Sequence, residues 1–255
     1  MSDSETTPRT SRIAQLAAAL TAASLSCVLL GLIGAQWAFL TPMTSFGLFS
    51  VGALLGGALT LVLGVIAVFV TRGGQDKVGR RRAWSSTIIA AILLALVAGA
   101  AAPGSSAPPI NDITTSPGSP PPFLHAVQLP ANRGRDMSYP KKFAVITRKS
   151  YPDLKALEVN VSVQQALPYV IDAARVSGWT VTSINMQAGL IEATDTTPVF
   201  RFVDDIVIRM RPIDNQHTIL DLRSKSRDGR GDLGANARRI QRFAYEFDRL
   251  KKPAP

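Results

Sequence analysis

Apolar and polar positions divide the chain into two halves. Residues 13–40 hold only Gln15 and Gln36 as strongly polar side chains, and residues 46–70 and 83–102 carry no charge at all. About 20 apolar residues suffice for a helix to cross a bilayer core. Backbone groups in lipid have to bond internally, so each run predicts a membrane-spanning helix. Residues 1–102 therefore read as a three-helix transmembrane anchor. Beyond them, residues 103–140 are rich in Pro, Ser and Gly, which predicts an extended linker. Residues 141–252 carry the shorter periods of a soluble domain.

Within that domain, FAVIT (143–147) and LEVNV (157–161) read as short strands. Ser162 and Gln165 have the spacing of a capping box. Val163, Leu167, Val170 and Ala174 follow at helical spacing up to Gly178, with Pro168 interrupting. WTVTSIN and LIEATDT form a hairpin around residues 186–189. RFVDDIVIRMR and HTILDLRSKS form a second, joined across Asp214 and Asn215. Leu233, Ile240, Phe243, Phe247 and Leu250 make the apolar stripe of a closing helix. Short connections imply antiparallel pairing. The expectation is an α+β domain in β-α-β-β-β-β-α order: an antiparallel sheet of about four to five strands with two packed helices. This order resembles helix-grip folds, in which a curved sheet holds a long C-terminal helix over an apolar cavity.

Charge adds an orientation. The net charge is +10, and 21 of the 28 Lys and Arg lie beyond residue 102. The loop between spans two and three carries Arg72, Lys77, Arg80, Arg81 and Arg82 against Asp76 alone, whereas residues 41–45 are uncharged; Arg9 and Arg12 precede the first span. Positive loops stay inside. The N-terminus is thus expected in the cytoplasm of a bacterium, the anchor in the inner membrane, and the C-terminal domain in the periplasm or beyond. The same basic cluster suits anionic lipid headgroups. An alternative reading takes the third span, RRRAW to AGAAAPGSS, as a signal sequence with a cleavage site. Gly52-x-x-x-Gly56 is a close-packing motif that fits either a neighbouring span or a second copy. The single cysteine, Cys27, leaves neither a disulfide nor a cysteine-based zinc site within one chain.

The stretch GRGDLGANARRI (229–240) raises the candidate chemistry. Gly229, Gly231 and Gly234 have the GxGxxG spacing of a dinucleotide turn, but that turn needs a parallel βαβ unit and an acidic residue about 20 positions on. No strand follows here, so no nucleotide cofactor is expected. Two readings fit the stretch. In one, the glycines form a tight turn and Asp232 caps the last helix. In the other, the helix start and Arg223, Arg227, Arg230 and Arg238 hold an anion. Asp204 and Asp205 are the acidic counterpart. Asp204 shares a strand face with Phe200, Phe202, Ile206, Ile208 and Met210, so a partner is expected, with Arg223 or Arg227 nearest in the pattern. The pair reads as a structural lock or as the polar mouth of a ligand site. His125 and His217 lack metal-ligand spacing, and no G-x-S-x-G or Walker A motif occurs.

PINDITT with the following PPPF, YPDLKAL, GWTV, LIEAT, FVDDIVIRM and LRSKSRDGRGDLGANARRI together resemble the bacterial and plastid proteins of domain of unknown function family 1499, over residues 109–250. Asn111 stands where that family usually has His. The resemblance implies a shared fold and carries no established reaction or ligand. The functional expectation is a membrane-anchored envelope protein whose outer domain binds a lipid, an anionic envelope component or a protein partner, without cofactor or metal. The alternatives are a hydrolase or transferase acting through Asp204 or Asp205, and a scaffold that assembles with its own copies or other membrane proteins. Nucleic acid suits the charge but not the outside location.

Overall fold

The computed structural model describes residues 10–251; Arg9 lies outside them. The chain divides into two compact units, Met1–Pro103 with Val199–Arg201, and Gly104–Pro198 with Phe202–Pro255.

The first unit contains three helices long and apolar enough to cross a membrane: Arg12–Gln36, Pro42–Val70 and Lys77–Gly104. The first is α1 (Arg12–Gln36). The second is built from α2 (Pro42–Ser50), a π-helical segment (Val51–Gly56) and α3 (Gly57–Val70). The third contains α4 (Lys77–Ala101). Their starts are set by side chains that satisfy free amides. Thr41 caps α2, accepting from the Thr44 amide at 3.2 Å, with Pro42 at the first helical position. Asp76 caps α4 through the Gly79 amide at 2.7 Å, and its other oxygen accepts from the Ser11 amide at 2.7 Å, joining the starts of α1 and α4. The Gly52 motif packs within the chain: a Cβ on Gly52 would lie 2.6 Å from the Ser24 carbonyl oxygen of α1. Absence of a side chain there lets the two backbones touch.

The second unit is a six-stranded antiparallel sheet with three helices. It comprises β1 (Asp112–Thr114), α5 (Lys141–Ser150), β2 (Leu157–Val159), α6 (Val163–Val176), β3 (Thr180–Asn185), β4 (Leu190–Thr196), β5 (Val203–Pro212), β6 (Thr218–Ser226) and α7 (Ala235–Lys251). The strand order is β1-β6-β5-β4-β3, and β2 also pairs with β6. The expected order appears from β2 onward. The capping box of α6 forms, with the Gln165 amide donating to the Ser162 hydroxyl and the Ser162 amide to the Gln165 side chain. Pro168 sits inside α6, removing the amide that would bond back one turn.

Several expectations are corrected. FAVIT is not a strand but the middle of α5, where Phe143 and Ile146 pack on the core and Thr147 is buried. The Pro-rich stretch 103–140 is not a free linker: its residues from Gly104 onward belong to the folded unit and cover one face of the sheet. A sheet with both faces buried needs such a cover.

Strand alternation sends side chains to two layers. On one face, Ile191, Ala193, Ile206, Ile208, Met210, Leu220 and Leu222 pack against Ala166, Val170 and Ala173 of α6 and Ile240, Phe243 and Phe247 of α7. Trp179 stacks on Phe243 at 5.1 Å between ring centroids. These side chains pack between the sheet and α7. Leu233, expected in the α7 stripe, precedes the helix and is exposed. On the other face, Leu190 and Val207 lie under Phe123, Ala126 and Met137 of the covering segment.

Candidate functional site

Each face of the sheet also carries a layer of charge, and the strand register decides which residues join it. Asp204 pairs opposite Ser226 and Asp195, and so points toward α7. There Arg239 reaches it, donating to Asp204 from one guanidinium nitrogen and to Asp195 from Nε at 2.7 Å. Asn236, one turn earlier on α7, lies beside them and donates to the Ser226 hydroxyl at 2.9 Å. The Ser224 hydroxyl donates to Asn236 at 2.6 Å and accepts from Arg239 at 3.1 Å. Burial pushes the Asp204 carboxyl above its ordinary range, and Arg239 beside it opposes that shift without cancelling it. The partner of Asp204 is thus Arg239, and the expectation of Arg223 or Arg227 is corrected. Arg223 belongs to the opposite layer, because odd-numbered positions of β6 face away from α7, and Arg227, just after the strand, reaches Asp205 in that same layer.

In that opposite layer Arg223 is buried and its guanidinium makes four hydrogen bonds. It donates to Asp112 at 2.9 and 2.8 Å, to the Pro121 carbonyl at 3.1 Å and to the Met137 carbonyl at 2.9 Å. The Phe123 ring lies 4.7 Å and the Tyr139 ring 5.5 Å from its central carbon, an arrangement favourable to a cation. Lys225 adds a second cation to Asp112 at 3.0 Å. Burial raises the Tyr139 hydroxyl, opposed by its bond to Thr147. Asp205 is wholly buried and holds Arg227 at 2.7 Å, Asn132 at 2.9 Å and Arg135 at 3.7 Å. Toward the far end of the strands, Asp221 accepts from Arg209 at 2.8 Å and Arg211 at 2.7 Å. Glu192 accepts from the amides of Leu124, His125 and Ala126 at 2.7, 2.6 and 2.8 Å, which anchors the covering segment to β4.

The glycine-rich loop sits at one end of β6. Gly229 and Gly234 both have φ of +79°, a left-handed conformation that glycine adopts without strain. Asp232 accepts from the amides of Gly234 and Asn236, each at 2.8 Å, so it occupies the start of α7 itself. A Cβ on Gly231 would lie 3.2 Å from the Cα of Pro109, a close approach between this loop and the chain entering β1. Asn111 bridges the same parts: its side chain donates to the Gly229 carbonyl at 2.7 Å, and its own carbonyl accepts from the Ser226 amide at 2.8 Å.

Of the residues that the sequence singles out, Asp205 and Arg227 meet, whereas Asp204 and Arg223 lie in separate layers. Arg230 and Arg238 stand exposed at the loop, and Arg238 donates to the Leu233 carbonyl at 3.0 Å. Neither has a carboxylate partner among the described residues. The cations Arg72, Lys77, Arg80, Arg81 and Arg82 are all exposed near the start of α4. The sequence reading missed Asp112, Arg135, Glu192, Asp195, Asn236 and Arg239. For two of these a signal existed: Asn236 and Arg239 fall on the helical face of Ile240 and Phe243, where a polar residue needs a buried partner.

A family model described as protein of unknown function (DUF1499) matches residues 112–247. No curated protein matches the chain. The matched stretch runs from the first residue of β1 to Phe247 on α7, and so includes both charged layers and the glycine-rich loop.

Proposed function

The chain belongs to the DUF1499 family of proteins of unknown function, anchored by three apolar helices, and from that premise we propose that it is an envelope protein with a rigid, non-enzymatic binding domain outside the cytoplasm. The orientation rests on charge: five cations against one acid between the second and third apolar helices, and none in the preceding loop. In a bacterium this directs the loop to the cytoplasm and the C-terminal domain to the other side of the inner membrane.

One observation carries the binding reading. The buried acidic residues on the sheet faces are neutralised by arginine, lysine or backbone donors, whereas Arg230 and Arg238 remain at the surface without an acidic partner among the described residues. Asp204 and Asp205 are 3% and 0% exposed, so a substrate would have to displace Arg239 or Arg227 to reach them. That favours a structural role for the two aspartates over an enzymatic one. The proposed ligand is an anionic envelope component held by Arg230 and Arg238, since forked guanidinium donors suit phosphate and carboxylate groups. Asp232 fills the start of α7, so the contact falls to these side chains rather than to helix amides.

Native mass spectrometry of the full chain in mild detergent tests this. The wild type should retain an added mass that the Arg230→Ala, Arg238→Ala double variant loses and an Arg249→Ala control keeps. Identical spectra for all three would contradict the reading.

A further inference from the structure

Helix α5 is short, and its outer face has a composition that neither charged layer explains. Lys141, Lys142, Arg148 and Lys149 are all exposed, and the helix contains no acidic residue. Val145 lies among them, three or four positions from each, on the same side of the helix. It is 68% exposed, the most exposed large apolar side chain of the second unit. None of the four cations has an ion-pair partner among the described residues; Lys142 only lies over the Phe143 ring at 5.8 Å. The inward face is fixed separately. Phe143 and Ile146 pack on the core, and the Thr147 hydroxyl is 3.1 Å from that of Tyr139. The outer face is therefore held rigidly while contributing little to the fold.

Four cations around one projecting apolar side chain match the surface of an anionic bilayer, where phosphates meet the cations and the apolar group enters the boundary below. Chain connectivity supplies the occupant. Tyr151, directly after α5, and Ala107 converge on Gly234: a Cβ placed there would lie 3.5 Å from the Tyr151 hydroxyl and 3.4 Å from the Ala107 Cβ. Ala107 comes three residues after the third apolar helix ends at Gly104. A bilayer that holds that helix is thus within tether reach of α5. We propose that the outer face of α5 is a docking surface for anionic phospholipid headgroups of the membrane in which the chain is anchored. This surface is independent of Arg230 and Arg238 and stands whether or not they hold a ligand.

The test places a solvent-sensitive nitrobenzoxadiazole dye at Val145→Cys in a Cys27→Ala background, with the full chain reconstituted in nanodiscs. The probe lipid is phosphatidylglycerol, mixed into phosphatidylcholine or omitted. Emission should shift to the blue and rise about twofold or more with phosphatidylglycerol, as the dye enters the interface. About 1 M salt should abolish the rise by shortening the screening length to roughly 3 Å. Exchanging all four cations for Gln should remove the response, while exchanging Lys for Arg and Arg for Lys should keep it. A dye at Gln216→Cys, in the exposed β5–β6 turn, should not respond. Equal emission in both lipids, or a response that survives the four Gln substitutions, would overturn the proposal.

Discussion

Removing the charge of Asp112 should destabilise the domain strongly, although the substitution keeps the shape of the side chain. Asp112 has no exposed surface and accepts from Arg223 and Lys225, themselves 2% and 7% exposed. Asp112→Asn keeps the shape but leaves two buried cations facing a neutral amide. An uncompensated buried charge costs about 3–5 kcal/mol. Arg223→Met has a different outcome, because Lys225 still neutralises Asp112. What it loses is the donors to the Pro121 and Met137 carbonyls and the stacking on Phe123. Two unsatisfied buried acceptors at about 1–3 kcal/mol each and a lost cation–ring contact of about 1–2 kcal/mol sum to about 3–8 kcal/mol. The double variant Asp112→Asn, Arg223→Met should cost less than the sum of the single changes by over about 1 kcal/mol, since the groups share one network. Pulse proteolysis of the full chain in mild detergent, across a urea series, measures all three. An Asp112→Asn variant within about 1 kcal/mol of the wild type would refute the reasoning, since it would mean that the pair is solvated.

Three further outcomes are expected. Asp232→Ala should cost about 1 kcal/mol and speed hydrogen exchange at the Gly234 and Asn236 amides, which lose their acceptor; unchanged exchange there would contradict the cap. Gly52→Leu should disrupt the packing of the first two spans and lower the melting temperature in detergent, whereas Gly99→Leu, with open space around it, should not; equal shifts would contradict the close approach. Asp204 has a pKa raised above 3.8 by burial, so its folded state holds a proton to higher pH than its unfolded state. Its contribution to stability is therefore full below the unfolded value and falls as pH rises through the raised one. The stability of wild type relative to Asp204→Asn should decrease upward from about pH 4 in urea titrations, and an increase would reverse the sign of the argument.

Local patterns are legible in the sequence where local chemistry decides. The box of Ser162 and Gln165, the turns at residues 186–189 and 214–215, and the run of Ile240, Phe243 and Phe247 each form as their spacing implies. FAVIT failed because a short apolar run with β-branched residues suits strand and helix alike. Packing of Phe143 and Ile146 on the core chose the helix. Residues 103–140 failed for another reason. Their Pro-rich composition does forbid long helices and strands, yet Glu192 pins their amides and Arg223 their carbonyls from strands far along the chain. Once covered, positions of β5 and β6 such as Asp205 and Arg223 are interior, although alternation alone assigns them to solvent. Arg239 escaped notice because its need for a partner appears only when α7 is laid on Asp204 and Asp195.

The most direct test of the account is the side of the membrane on which the second unit lies. Single cysteines at Gly73 and Gln216, both exposed, would be introduced into a Cys27→Ala chain and treated with a membrane-impermeant maleimide in intact bacterial cells. The account expects labelling at Gln216→Cys without permeabilisation and at Gly73→Cys only after it. The reverse pattern, or labelling of both sites in intact cells, would contradict an anchor that holds the binding domain outside the cytoplasm.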